Sequence, residues 1–392
     1  MPSNDRGNQD RRRFLKLSGA GTLGITGLAG CLTGGGGSSA TSTSSGDTSS
    51  DETSSGSGTT SSGAKDFGGK EISVMLNVGA ISTIHKKYLI PRVEEKYNLN
   101  INTQTAVTTT QLTKLQANQD SPPDVVVPDV IGIEKASRKG WLEPLTDHPD
   151  AVPEVDNIYD KFVHYDGAGV SWEVGEVLPV INTSLWDNTP QSHADVMKNS
   201  NSTALVPFSW SGGPYLLLMA SAIATGNSFN SELDVQAGFD WLETNLKPNV
   251  TTTYQGVASA KQQLASGNVD ALNLFWDYML FDMWKRGASI DPLFRLEPAG
   301  VAFAEAVGVT KNAPNQEAAF AYANECLSPW FQEKASAAMG CGVTNKNATV
   351  NAKAKEFGAV TSDEFDQLAF PDFGYIWENR SDWAEQWNNT FS

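Results

Sequence analysis

The 392-residue chain is short of the residues that make chemistry: three cysteines, four histidines and seven methionines. No CxxC or HExxH spacing occurs, so no metal-site signature is present and no cofactor is expected. A Walker P-loop and a GxSxG elbow are also missing, which removes the commonest nucleotide-binding and serine-hydrolase readings. Basic residues are scarce as well, 28 against 45 acidic, for a net charge of −17. Such a chain does not bind nucleic acid by neutralising phosphates. No apolar run reaches the length of a membrane span; the longest candidate, residues 17–30, is too short and too rich in glycine.

What is present begins at the N-terminus. Arg11-Arg12-Arg13-Phe14-Leu15-Lys16 precedes a short uncharged segment ending in Leu28-Ala29-Gly30-Cys31. The twin arginine reads as a Tat export signal, and the tetrapeptide resembles a lipobox, which implies lipidation of Cys31. Residues 31–66 follow as a tether of Gly, Ser and Thr that cannot build a core. The expectation is a protein exported across the cytoplasmic membrane and anchored to its outer face, at the cell surface. Residues 1–30 hold five basic and two acidic groups, so the remainder carries 23 basic against 43 acidic residues, net −20. That acidity suits solubility in concentrated salt, as on haloarchaeal surface proteins, or a site that attracts cations. In an exported protein Cys326 and Cys341 could form a bridge or stay as two buried thiols.

Hydrophobic periodicity organises the rest. Strand patterns at residues 71–76, 99–103 and 124–128 alternate with helical ones at 83–96, 109–118 and 131–139. Pro91 threatens the first helix. The alternation resumes with strands at 177–182, 204–208 and 270–275 and helices at 213–225, 235–245 and 257–266. Extended sequence at 301–309 precedes helices at 316–327 and 330–339. The pattern predicts an α/β protein of two doubly wound lobes.

Asp124-Val125-Val126-Val127-Pro128-Asp129, then Lys139-Gly140-Trp141-Leu142-Glu143-Pro144-Leu145, resembles a signature of the type II extracellular solute-binding proteins of ABC importers. Leu246-Lys247-Pro248-Asn249-Val250, Leu264-Ala265-Ser266-Gly267-Asn268-Val269 and the segment 315–322 match further family elements in the same order. The branch most similar is the spermidine/putrescine-binding proteins. The resemblance implies a periplasmic-binding-protein-like fold, with two hinge crossings and a cleft that closes on a small solute. Lobe 1 would comprise residues 67–181 and 305–345, and lobe 2 residues 182–304 and 346–392. It also implies a monomer that delivers its solute to membrane permease subunits, without being an enzyme. The sequence departs from the family after the first strand, where Val78 replaces an aromatic. It departs again at Pro207-Phe208-Ser209-Trp210-Ser211, where an acidic pair is lost, and at Phe275-Trp276-Asp277-Tyr278.

A dry polyamine site needs carboxylates for the ammonium groups and flat aromatic walls for the methylenes. Candidates at strand ends and crossings are Asn77, Asp129, Trp172, Glu173, Glu176, Trp210, Trp276, Asp277, Tyr278 and Glu305. Asp129 and Asp277 could equally cap the helices that follow them. Trp210 could be a packing residue, and Trp172, Glu173 and Glu176 could form a solvated acidic turn. Glu305, inside an apolar run, needs a partner if buried. Aromatic platforms also suit a sugar, and thiamine or a phosphonate are further alternatives. A glycoside hydrolase would need paired carboxylates facing a cleft, with Glu173 and Glu176, or Asp277 and Asp282, as the pairs the sequence offers.

Overall fold

A computed structural model describes residues 65–230 and 233–391; the signal, Cys31 and nearly all of the tether lie outside the described residues. Fourteen strands, numbered along the chain, form two mixed sheets among the described residues. The first sheet takes β1 (Lys70–Leu76), β2 (Leu99–Thr105), β3 (Val125–Val127), β4 (Leu142–Glu143), β5 (Val163–His164), β6 (Gly169–Ser171) and β13 (Ala306–Thr310). Its order is β2-β1-β3-β13-β6-β5, with β4 beside β13. The second takes β7 (Gly175–Asn182), β8 (Thr203–Leu205), β9 (Val250–Thr253), β10 (Ala271–Trp276), β11 (Ile290–Pro292), β12 (Gly300–Phe303) and β14 (Leu368–Ala369). It runs β14-β12-β7-β10-β8-β9, with β11 on β7.

The elements arise where the patterns predict. Val125, Val126 and Val127 are fully buried, as befits a central strand covered on both faces; β1 pairs parallel to both β2 and β3. The first helical segment departs from regularity at Pro91. Helix Ala80–Ile84 widens into a π-helical turn, His85–Leu89, before helix Ile90–Tyr97. Proline cannot donate to the preceding turn, and the wider turn absorbs the missing bond.

The crossings between the sheets lie side by side. β6 passes through residues 172–174 into β7, and β12 returns through 304–305 into β13. Ala306 pairs antiparallel with Ser171, and Phe303 with Gly175. The two crossings therefore make one two-stranded ribbon running from sheet to sheet. The lobe boundary expected at 181 moves to this ribbon, because β7 hydrogen-bonds wholly within the second sheet. A third segment joins it: Gly342 and Val174 exchange backbone hydrogen bonds at 2.7 and 3.3 Å. The terminal helix Phe373–Phe391 does not stay with the second lobe alone. Its Trp377 Nε1 donates to the carbonyl of Ile131 beside the first sheet at 2.8 Å, while its Arg380 reaches the carbonyl of Ser209 beside the second.

Cys326 and Cys341 are unbridged and fully buried, which corrects the disulfide alternative. Cys326 sits in helix Gln316–Leu327 and Cys341 follows Gly340 at the end of helix Pro329–Met339. Each fills apolar core as a small hydrophobe, and burial pushes both thiols well above their ordinary pKa. Among the described residues no helix is long and apolar enough to cross a membrane.

Candidate functional site: an acid-floored, aromatic-walled cleft

The carboxyl ends of parallel strands are where open α/β sheets place their ligands, and here strand ends from both sheets converge. Asn77 follows β1, Asp129 follows β3, and Trp276 ends β10 with Tyr278 just beyond. Glu305 comes from the returning crossing. Together with Trp210 these residues line one cleft of about 300 Å³. The aromatic side is built in layers. Trp210 lies 5.8 Å from Trp276 and 5.7 Å from the buried Tyr254, and Tyr278 stacks on Phe303 at 5.7 Å.

The floor is acidic. Glu305 is fully buried; its Oε1 accepts from Asn77 Nδ2 at 2.7 Å, and its Oε2 has no protein partner. Asp129 stands opposite it across an isolated β-bridge, at the N-cap of helix Val130–Arg138. Asp129 Oδ1 is buried without a partner. Burial pushes the Asp129 carboxyl up to about 6, against the pull of the Thr108 hydroxyl and the Arg380 charge. Burial raises Glu305 well above the ordinary carboxylate range, reinforced by the charges of Asp129 and Glu173.

Four of the sequence candidates do not line the cleft. Trp172 turns the other way from its ribbon strand and is fully buried against His85 and Phe331, at ring distances of 5.0 and 5.3 Å. Glu173, Glu176 and Asp277 lie behind the cleft, where the crossing strands leave the sheet ladders and backbone N–H groups need acceptors. Glu173 Oε1 takes the N–H of Glu305 at 2.7 Å, Asp277 Oδ2 that of Glu176 at 2.9 Å, and Glu176 Oε1 that of Arg295 at 2.8 Å. Gly175 lets Asp277 approach: an added Cβ would stand 2.5 Å from Asp277 Oδ1. Neither carboxylate pair considered for glycoside cleavage faces the cleft. Three of the four are buried behind it, and Asp282 is exposed and ion-paired with Lys285 at 3.0 Å. Sequence reasoning missed Trp377 and Arg380, which the terminal helix brings in, and Thr108, Ser209 and Ser211. No local motif marks them.

The buried carboxyls predict how stability depends on pH. Burial raises Asp277 to about 7 and Glu176 to about 8, with Glu173 well above its ordinary value. The folded chain then keeps protons that the unfolded chain has released, so stability falls as pH rises. Buried His85, His164 and His193, lowered to about 3, 4 and 4, act in the opposite sense below about pH 6.5. The Tm of the empty protein should fall with rising pH, most steeply between about 6.5 and 8, where only the carboxyls titrate. A Tm that is flat or rising across that window would mean that they are ionised in the fold.

Comparison with known proteins settles the family. A model of the bacterial extracellular solute-binding proteins matches residues 89–361. The chain belongs to this family. The fold is that of ABC-transporter substrate-binding proteins of known structure. One from Clostridium perfringens is 20% identical over 82% of this chain and 100% of its own, with a TM-score of 0.67. The spermidine/putrescine-binding PotD of Streptococcus pneumoniae is 19% identical over the same shares, also at 0.67. The Atu4243-GABA receptor is 17% identical over 82% of this chain and 98% of its own, at 0.69. No curated protein sequence matches the chain. The family and fold are those of transport proteins rather than enzymes, which implies a small solute, permease partners and an extracellular or periplasmic site of action.

Proposed function

We propose that this chain is the lipid-anchored capture component of an ABC importer and that its solute carries an ammonium group, as the polyamines do. One observation carries the reading: Glu305 Oε2 and Asp129 Oδ1 are buried and unpartnered beside an aromatic wall. Buried polar atoms left unmatched are costly, and an entering ammonium would satisfy both. Trp276 and Tyr278 offer ring faces for the methylenes and for cation–π contact, about 0.5–2 kcal/mol each. The anchor rests on the twin arginine, the lipobox and Cys31. Capture would proceed by flexing of the crossing ribbon and closure on the guest, without breaking a bond.

Burial raises Glu305, and an arriving ammonium favours its ionised form, so binding should release protons wherever Glu305 is protonated in the empty cleft. Affinity should therefore rise with pH, and calorimetry in buffers of different ionisation enthalpy should detect proton release. Titration of the full chain with amine solutes tests the reading. Flat titrations with every amine, by folded protein, would reject it.

A further inference from the structure

Arg380 is the one cationic side chain that lines the cleft among the described residues, and its charge also pulls on Asp129. Arg380 enters from the terminal helix and is half-buried. Its Nη2 donates to the carbonyls of Ser209 at 2.5 Å and Phe208 at 3.4 Å, and its guanidinium lies over the Trp377 ring at 5.2 Å. These contacts fix the guanidinium plane. They leave Nη1 and Nε without an acceptor among the described residues, and no described carboxylate comes within 4.0 Å. Among the described arginines the exposed Arg286 also lacks an ion pair, but the others have one. Arg92 pairs with Glu325, Arg138 with Glu134 and Glu378, and Arg295 with Glu364.

A preoriented guanidinium whose Nε–H and Nη1–H groups are open attracts an anion, each donor able to meet an oxygen. A diamine would leave that cation unpaired and bring a second positive charge toward it, the kind of repulsive element that excludes a wrong ligand. We propose that the solute is an ampholyte. Its ammonium group sits on Glu305 and Asp129, its oxyanion, a carboxylate or phosphonate, on Arg380, and its aliphatic segment against Trp276 and Tyr278. This rests on the amine reading above and narrows it. One molecule then satisfies all the unmatched charged groups of the cleft.

The test is calorimetry of the full chain with solutes that differ in their end groups. These are 4-aminobutanoate and 6-aminohexanoate, 2-aminoethylphosphonate, putrescine and spermidine, and butanoate. At least one ampholyte should bind tenfold or more tighter than either polyamine, with butanoate unbound; whether carboxylate or phosphonate wins identifies the anion. In Arg380→Gln the preference should invert, the ampholyte weakening at least 30-fold while putrescine tightens. Arg380→Lys, which keeps the charge, should preserve the order. A purely structural arginine would weaken all ligands together. Polyamines binding as tightly as every ampholyte to the unaltered chain would overturn the inference while leaving the amine reading intact, whatever the variants do. Failure of every amine to bind would remove both.

Discussion

Glu305→Gln should weaken binding of an amine solute by roughly 30-fold to more than 1,000-fold, because truncating one side of a buried, hydrogen-bonded charge pair costs about 2–5 kcal/mol. The substitution is nearly isosteric, and the amide can still meet Asn77 Nδ2 through its oxygen, so the fold has little to lose. Stability should even rise slightly above pH 7. There the native carboxyl is under pressure to ionise in a site where burial and the charges of Asp129 and Glu173 oppose it, and an amide is not. The same variant should flatten the rise of affinity with pH, since the proton exchanged for the solute is gone. Calorimetry and a thermal melt on one preparation separate the effects. An affinity within threefold of the parent would remove Glu305 from the site.

Trp172→Ala and Trp276→Ala should part company, although a sequence reading makes both ligand contacts. Trp172 is fully buried between His85 and Phe331. Deleting a core tryptophan costs about 3–5 kcal/mol, a large share of the roughly 5–15 kcal/mol that holds a typical domain together. Its Tm should fall by roughly 5–15 °C, while the protein still folded binds its solute within about twofold of normal. Trp276, 5% exposed, faces the cleft, and its truncation should cost affinity more than stability. Trp276→Phe should also abolish much of any tryptophan fluorescence change that accompanies binding. Equal losses of affinity in the two alanine variants would mean that Trp172 reaches the solute.

The ribbon of paired crossings explains why carboxyls accumulate at the join. Strands that pass from one sheet to another leave their ladders for two or three residues, and their N–H groups must still be met. Glu173 and Asp277 meet those of Glu305 and Glu176 with side-chain oxygens, and Glu176 does the same for Arg295 in the loop before β12. Those acids looked like ligand groups in the sequence because an acid in apolar sequence signals either a ligand or an orphaned backbone donor. Composition around the residue is the same in both cases.

The sequence by itself determined the α/β alternation, from Val125-Val126-Val127 read as a buried strand to the helices that follow it. It also marked Asn77, Asp129, Trp210, Trp276, Tyr278 and Glu305, since residues that end parallel strands or return between lobes must gather at one edge. Periodicity and strand-end position are local properties, and local sequence carries them. The direction in which Trp172 and Glu173 point, the unbridged state of Cys326 and Cys341, and the arrival of Arg380 in the cleft were decided only by the tertiary structure. Each depends on which distant segment lies alongside, the returning crossing for Glu173 and the packing of the last helix across both sheets for Arg380. No window of neighbouring residues contains that information.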